Sequence, residues 1–367
     1  RMANFGWAHP SVSDALEPAF PIAKQFSDEN ALGSILWGLW VHYQTRTNFP
    51  RAWEWLGELD EVARENPETD LPLINDMSVG CQYFWEAQHQ RALAHTDHLK
   101  TIYVIERHAG IAASINHDPL VFAQHWAGSL ADWIIGRPER SVERLEEAVE
   151  LARQIGHPFN CAFAMTAGVT SLLYIGRGED VLAYTDEVQQ IVNDEALGPF
   201  AQNVLVNQWR GPAHIFIGQF EDGYPLIKQG NEFWNMAGGR ICNAMFQSWI
   251  ALGAQGLGQS GEASELIDYT IAHCRKSGDC YMEPECVRLK GEIGLAGGGL
   301  NHDEAQRMFR EAIAIAQTHG AKSWELRAAM SLAKILKAKD QRKEAIGCLE
   351  PILMSFEEGF GTADLLE

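Results

Sequence analysis

The segment HDEAQRMFREAIAIAQTHGAKSWELRAAMSLAKILKAKDQRKEAIGCLEPIL, residues 302–353, predicts three successive amphipathic helices. In the first, Ala305, Phe309 and Ala312 are spaced so that they share one helix face. Gly320 then ends this helix, because glycine readily adopts the positive φ that closes many helices. The next two helices repeat the spacing with Leu326, Ala329, Ala333 and Leu336, and with Ala345, Leu349 and Ile352. Each apolar face needs a neighbouring helix to cover it.

The same unit recurs along the chain at a nearly constant spacing. The residue that opens the second helix of each unit is found at Ala52, Ala92, Ser141, Val181, Gly223, Ala263, Ala305 and Ala345. The steps between these positions are 40, 49, 40, 42, 40, 42 and 40 residues, although two units carry Val or Gly instead of a small Ala or Ser. Such a period indicates a solenoid, because a helix pair buries its apolar face only against its neighbours.

The fold predicted from this period is all-α, without any sustained strand pattern. We expect a right-handed α-solenoid of about eight helix–turn–helix repeats that occupies residues 1–367 as a single superhelical domain. Residues 11–26 are predicted to form a lone helix before the first complete pair. Because the sequence begins with Arg1 rather than Met, we expect it to be a fragment of a larger protein.

Composition limits the classes of partner. The net charge of −20 argues against binding to nucleic acid or to anionic lipid, both of which attract basic surfaces. The longest apolar run, residues 32–41, is too short to span a bilayer, and no signal peptide is visible. Seven scattered cysteines, an odd number, favour reduced thiols and a cytoplasmic location.

The helical period resembles that of tetratricopeptide repeats, with a glycine five residues before the opening position at Gly136, Gly176, Gly218 and Gly258. The period of about 40 residues is longer than the usual ~34. Four segments resemble the repeat region of bacterial AAA-like ATPases and class III adenylate or guanylate cyclases. Three of them are C-terminal: EPECVRLKGE (residues 283–292), EAIAIAQTHGAKSWELRAAMSLAKIL (311–336) and EGFGTADL (358–365). The fourth is GHPFNCAFA (156–164). The resemblance implies a regulatory, interaction-forming region without catalysis.

Candidate catalytic and metal sites are weak. The run Gly297–Gly299 lacks the Lys and Ser or Thr of a phosphate-binding loop. His95 and His98 offer only two metal ligands, and surface histidines are the more common explanation. The spacing of Cys274, Cys280 and Cys286 near His273 fits no zinc motif. We therefore expect no cofactor, no metal and no enzymatic activity in this chain.

The best binding candidate is a polar stripe on the helix predicted over residues 200–217. Asn203, Asn207, Arg210 and His214 follow one helix face. First helices line the concave wall of such solenoids, so this stripe predicts a concave binding groove. The same groove is predicted to include Asn243, Gln247 and Trp249 in the next unit, and Trp126 and Trp133 two units earlier. The alternative is a stripe that faces water or pairs between helices, and the sequence does not decide between the two.

Two functions remain open at this point. The first is a regulatory repeat domain of a larger bacterial signalling ATPase or cyclase that binds a protein or peptide partner, or a small effector, in this groove. The second is a small-metabolite sensor of a transcriptional activator. A homo-oligomer is an open alternative. An enzyme has the least support, since no nucleophile–base pair is visible.

Overall fold

The protein is composed of helices, and a computed structural model that describes residues 6–26 and 28–367 contains no β-strand in those residues. The helices of the first half are α1 (Ser11–Phe26), α2 (Glu29–Thr45), α3 (Phe49–Glu65), α4 (Leu71–Trp85), α5 (His89–Ile102), α6 (Ile105–His108), α7 (Ile111–Ile115), α8 (Pro119–Ala123, Gln124–Leu130 and Ala131–Ile134 in succession), α9 (Pro138–Ile155), α10 (Pro158–Ala164, Ala167–Val169 and Thr170–Tyr174) and α11 (Gly178–Asp194).

The second half continues in the same manner. Its helices are α12 (Gly198–Ala201, Gln202–Asn207 and Gln208–Phe216 in succession), α13 (Phe220–Met236), α14 (Asn243–Gly256), α15 (Ser260–Ser277), α16 (Glu283–Ala296), α17 (His302–His319), α18 (Lys322–Ala338), α19 (Arg342–Leu353) and α20 (Ala363–Leu366).

The helices pack in eight consecutive antiparallel pairs, here called repeats 1 to 8: α2–α3, α4–α5, α8–α9, α10–α11, α12–α13, α14–α15, α16–α17 and α18–α19. The residues at the eight predicted opening positions are all buried. The spacing of 49 residues between Ala92 and Ser141 is longer than the others because α6 and α7 are inserted between repeats 2 and 3. The predicted all-α repeat fold is therefore confirmed.

The superhelix is tight enough for its successive turns to touch. The main-chain N–H groups of Arg240 and Ile241, just before repeat 6, donate to the carbonyl of Thr45 in repeat 1 at 2.7 and 3.0 Å. The N–H of Cys280, just before repeat 7, donates to the carbonyl of Trp85 in repeat 2 at 3.2 Å. Repeats 1 and 2 thus meet repeats 6 and 7, five places later, so about five repeats complete one turn.

Hydrogen bonds outside the helices accompany two helix ends. Helix α14 begins at Asn243. Because Arg240 and Ile241 direct their N–H groups to repeat 1, both residues are diverted from the helical hydrogen-bond pattern. Helix α5 ends at Ile102, where Tyr103 is extended and its hydroxyl donates to the Asp118 carboxylate at 2.7 Å.

The glycine that opens the second helix of repeat 5 has a packing role. A Cβ on Gly223 would lie 2.4 Å from the carbonyl oxygen of Gly211, and a Cβ on Gly211 would lie 2.5 Å from the nitrogen of Ile227. Helices α12 and α13 therefore approach backbone to backbone, which only glycine permits. The departure of this unit from the small-residue pattern is explained by this close approach.

The chain ends in a segment, residues 354–366, that crosses to repeats 3 and 4 and is called the C-terminal strap. The Glu358 carboxylate accepts hydrogen bonds from the N–H groups of Glu139 and Arg140 at 2.8 and 3.1 Å, at the start of α9. The N–H of Gly359 donates in return to the Glu139 carboxylate at 2.9 Å. A carboxylate at a helix N-terminus is favoured by the free N–H groups and the helix dipole.

Candidate functional site

The inner helices of the superhelix enclose a cavity on its axis, called the axial cavity. Its free volume is about 70 Å³, room for several water molecules. Its walls are formed by Trp7, Val41, Gln44, Thr45, Trp85, Phe122, Trp126, Phe163, Ala167, Val204, Leu205, Gln208, Trp209, Trp234, Ile241, Cys242 and Phe246. These residues come from repeats 1 to 6 and from the segment before α1, so six repeats share one cavity.

Tryptophan rings dominate the wall. The Trp85 and Trp126 rings lie 5.0 Å apart between centroids, and the Trp126 and Trp209 rings lie 6.0 Å apart across the axis. The indole N–H of Trp209 donates to the Val204 carbonyl at 3.1 Å, and that of Trp234 donates to the Ile241 carbonyl at 3.1 Å. These bonds fix the orientation of two of the five indoles that line the cavity.

Three successive inner helices are irregular where they line the cavity. In α8 the segment Gln124–Leu130, which contains Trp126, is π-helical, and in α12 so is Gln202–Asn207, which contains Val204 and Leu205. Between them, α10 is interrupted before a short 3₁₀ turn at Ala167–Val169. Such departures from the α-helix often occur at functional sites, because the extra residue redirects the side chains.

The few polar groups of the wall are neutral. Gln208 is 1% exposed, and among the described residues neither its Nε2 atom nor the indole nitrogen of Trp85 has a hydrogen-bond partner. Burial raises the pKa of the Cys242 thiol well above its ordinary value, so this thiol is protonated near neutral pH. Within residues 6–26 and 28–367, the wall includes no Asp, Glu, Lys, Arg or His.

The residues of the predicted polar stripe contact other side chains and are not among the residues that line the axial cavity. The Arg210 guanidinium donates to the Thr185 hydroxyl at 3.2 Å and forms an ion pair with Asp186, both on α11. The Asn207 amide donates to Asn203 at 3.3 Å within its own helix, and the His214 ring contacts Gln219 at 2.6 Å. The Arg210 contacts correspond to the alternative in which the stripe pairs between helices, and ligand binding by these residues remains a prediction.

The other predicted residues are divided between the cavity and the closed core. Trp126 lines the axial cavity, whereas Trp133 stacks on Tyr174 at 4.6 Å and Trp249 donates its indole N–H to the Tyr174 hydroxyl at 3.1 Å. The Asn243 amide donates to Asn235 at 3.0 Å. The Gln247 side-chain oxygen is buried and has no partner in the part of the chain that the structure describes. Of the predicted residues, Trp126 alone belongs to the cavity wall.

Sequence reasoning missed most of the wall, including Gln208 and Trp209. A signal was present, because the wall residues Trp85, Trp126 and Trp209 are large aromatic residues on the first helices of three different repeats. Gln208 and Trp209 are adjacent to Asn207 and Arg210, so the predicted face was rotated by about one residue, or ~100°.

The described part of the chain contains neither a metal site nor a membrane-spanning helix. Residues 6–26 and 28–367 contain no group of three or more His, Cys, Asp or Glu side chains placed to hold a metal ion. Among the helices within the same ranges, none combines the length and the apolar character needed to cross a lipid bilayer.

The fold and the cavity define the class of protein, an α-solenoid of tetratricopeptide-like repeats with a closed aromatic axis. No family model and no curated protein matches the sequence. A solved structure of a Rap protein complexed with competence and sporulation factor is similar, with 11% identity over 91% of this chain and 92% of that chain and a TM-score of 0.56. At this identity the similarity shows the shared fold.

Two further solved structures are similar at lower TM-scores. The apo form of the quorum sensor NprR from B. thuringiensis is 12% identical over 94% of this chain and 97% of that chain, with a TM-score of 0.49. A signal transduction ATPase with a tetratricopeptide repeat sensor from Pyrococcus horikoshii is 11% identical over 94% of this chain and 52% of that chain, with a TM-score of 0.43.

Proposed function

We propose that this chain is a non-catalytic regulatory repeat domain that binds a small effector in the axial cavity. The proposal is carried by one observation: residues of six different repeats, from Thr45 of repeat 1 to Phe246 of repeat 6, form the wall of the cavity. A molecule in this position would contact both ends of one superhelical turn. The Rap protein, which was solved with a competence and sporulation factor, gives a precedent for a bound signal molecule in this fold.

Regulation would follow from the size of the cavity. Ligand sites for drug-sized molecules are commonly ~300–1,000 Å³, whereas this cavity has about 70 Å³. A single-ring effector therefore requires its walls to move outward, and it binds better to a slightly opened superhelix than to the closed one. Such a difference in affinity between two shapes is what allows an effector to shift the equilibrium and to act on an attached partner.

The experiment is a thermal-shift screen of a neutral fragment library against the wild-type chain and two matched variants. Ala167→Val fills part of the cavity, and Ala113→Val makes the same change at an exposed helical position. Hits should raise the midpoint of unfolding of the wild type and of Ala113→Val, because a ligand that binds the native state stabilises it. The shift should be lost in Ala167→Val. Equal shifts in all three proteins would contradict binding in the axial cavity.

A protein or peptide partner is a second candidate function, and the predicted polar stripe supports it. The Arg210 side chain is 22% exposed and its partner Asp186 is 73% exposed, so a partner could compete for this ion pair at the surface. Titration calorimetry with wild type, Arg210→Ala and His214→Ala tests this candidate against any protein that co-purifies with the full-length protein. Unchanged affinity in both variants would remove the stripe from consideration.

The resemblance of residues 283–365 to repeat regions of bacterial signalling ATPases and cyclases supports a place for this chain within such a protein. We propose that effector binding in the axial cavity changes the shape presented to the attached catalytic part. ATPase or cyclase activity of the full-length protein should then respond to a cavity ligand. The response should disappear in the full-length Ala167→Val variant.

A further inference from the structure

The polarity of the axial cavity restricts the charge of its ligand. Among the residues that the structure describes, every side chain of the wall is neutral, and eight of them are Trp or Phe rings: Trp7, Trp85, Phe122, Trp126, Phe163, Trp209, Trp234 and Phe246. A charged group that entered would lose its hydration without meeting a counter-charge, which costs far more free energy than ring contacts return. Planar neutral molecules instead gain from offset or edge-to-face contact with these rings.

Two residues of the wall carry hydrogen-bond donors that no acceptor in the described part of the chain satisfies. These donors are the buried Nε2 atom of Gln208 and the buried indole nitrogen of Trp85, whereas the indoles of Trp209 and Trp234 are satisfied by main-chain carbonyls. Burying a donor without an acceptor is unfavourable, because the donor has lost its hydrogen bond to water. A ligand that carries an acceptor oxygen or nitrogen could remove this cost, and a hydrocarbon of the same shape could not.

We infer that the axial cavity takes an uncharged, single-ring aromatic molecule that carries a hydrogen-bond acceptor such as a ketone or ring nitrogen. This inference rests on the proposed function and specifies its effector. The ring lies among the tryptophan and phenylalanine side chains, and its acceptor receives a hydrogen bond from Gln208 or Trp85. The helical irregularities at Trp126 and Ala167 lie in the wall that would have to move outward to admit the ring.

Four compounds of similar shape separate the contributions of ring, acceptor and charge. Acetophenone has a neutral ring and an acceptor, and α-methylstyrene replaces its carbonyl by a carbon–carbon double bond. Benzoate is the anionic counterpart, and phenyltrimethylammonium is the cationic one. Affinities are measured by titration calorimetry on the full chain and on the variants Gln208→Leu, Ala167→Val and Gln154→Leu. Gln154 is an exposed control on α9, remote from the cavity wall.

Acetophenone is expected to bind about tenfold more tightly than α-methylstyrene, since one satisfied donor corresponds to roughly that factor. Benzoate and phenyltrimethylammonium should not saturate the protein. Gln208→Leu should bring the two neutral affinities closer together, Ala167→Val should weaken both, and Gln154→Leu should change neither.

Three results would overturn the inference. Equal binding of acetophenone and α-methylstyrene to the wild type would show that the buried donors have no part in recognition. Preferred binding of phenyltrimethylammonium would show a site for cations held by ring faces. Failure of all four compounds, when library fragments still bind in a manner sensitive to Ala167→Val, would reject this ligand class and leave the proposed function intact. Failure of both sets would reject the proposed function as well.

Discussion

The hydroxyl of Ser323, at the start of repeat 8, donates a hydrogen bond to the main-chain carbonyl of Trp133 in repeat 3, 190 residues earlier in the sequence. The Trp324 ring follows at once and packs edge-on against Trp133, with 4.6 Å between ring centroids. Together with the equivalent contacts of repeats 6 and 7, this pair closes the superhelix on itself. The same closure leaves only a small cavity on the axis.

The C-terminal strap should detach when Gly359 gains a side chain. Its φ is +80°, and a Cβ would lie 2.0 Å from the ring of Pro138. We expect Gly359→Ala to increase amide hydrogen exchange in residues 354–366 and at Glu139 and Arg140, whose N–H groups lose the Glu358 carboxylate. Gly361→Ala is the matched control, because no atom lies within 4 Å of its added Cβ. Unchanged exchange in Gly359→Ala would contradict a fixed strap.

A buried ion network joins the strap to the last two repeats. Arg327 on α18 contacts the Glu285 carboxylate of α16 at 3.2 Å and the Asp364 carboxylate of α20 at 2.9 Å. We expect Arg327→Met to lower the free energy of unfolding by about 3–5 kcal/mol, because it leaves a buried carboxylate with fewer partners. Denaturant unfolding measures this change. Arg310→Met, which removes an exposed pair with Glu344, should cost at most about 1 kcal/mol.

Lowering the pH should reduce the stability that this ion network contributes. Burial acts to raise the pKa of Glu285, but Arg288 and Arg327 together hold that pKa below its ordinary value of 4.5. A carboxyl whose pKa is lowered in the folded state stabilises the protein above the unfolded pKa. That stabilisation is lost as the pH falls below about 4.5. The decrease in the free energy of unfolding on acidification should be smaller in Arg327→Met than in the wild type.

Asp279 should make the protein less stable as the pH rises. Its carboxyl is fully buried, and burial raises its pKa to about 8, although the main-chain N–H of Cys242 lies near it without forming a regular hydrogen bond. Between the unfolded pKa near 3.8 and the folded pKa near 8, the folded state holds one proton more. The free energy of unfolding therefore falls by up to about 1.4 kcal/mol per pH unit from this group alone.

Unfolding of Asp279→Asn at pH 6 and pH 8 tests this dependence. The variant cannot ionise, so it should lose less stability between the two pH values than the wild type loses. Asp222→Asn, at an exposed position on α13, should retain the wild-type dependence. Parallel curves for wild type and Asp279→Asn would show that Asp279 has an ordinary pKa.

Two buried histidines should make the protein less stable as the pH falls. Burial lowers the pKa of His125 to about 3 and that of His117 well below 6.5, and neither ring has a hydrogen-bond partner within residues 6–26 and 28–367. Their folded pKa values are depressed, so the stabilisation is complete above pH 6.5 and declines as the pH falls. We expect His125→Gln to reduce the slope of stability between pH 5 and 6 by up to about 1.4 kcal/mol per unit. The exposed His302→Gln should leave the slope unchanged.

The repeat period could be predicted from the sequence because it depends on local spacing. The apolar positions at Ala305, Phe309 and Ala312, and the closing glycine at Gly320, each specify structure within one or two helical turns. The capping box found at Asn301 and Glu304 has the same local character. Such signals do not depend on how the repeats are arranged, so the helix pairs were located even where the opening residue was Val or Gly.

The wall of the axial cavity could not be predicted in the same way. Which face of an inner helix points to the axis depends on the angle between successive repeats, and no local pattern encodes that angle. Asn207 and Arg210 were expected to line the concave wall, and the residues that line the axial cavity are their neighbours Gln208 and Trp209. The π-helical segments in α8 and α12 rotate the side chains further, and their occurrence has no clear signal in the sequence.

The contact between repeats five places apart has a consequence for how the chain unfolds. In an open array each unit touches only its immediate neighbours, so the ends can fray and partial structures persist. Here, loss of repeat 8 would uncover Trp133 in repeat 3, and loss of repeat 6 would uncover the carbonyl of Thr45 in repeat 1. Melting of one end therefore exposes apolar surface in the middle, which favours a single cooperative transition over stepwise loss of repeats.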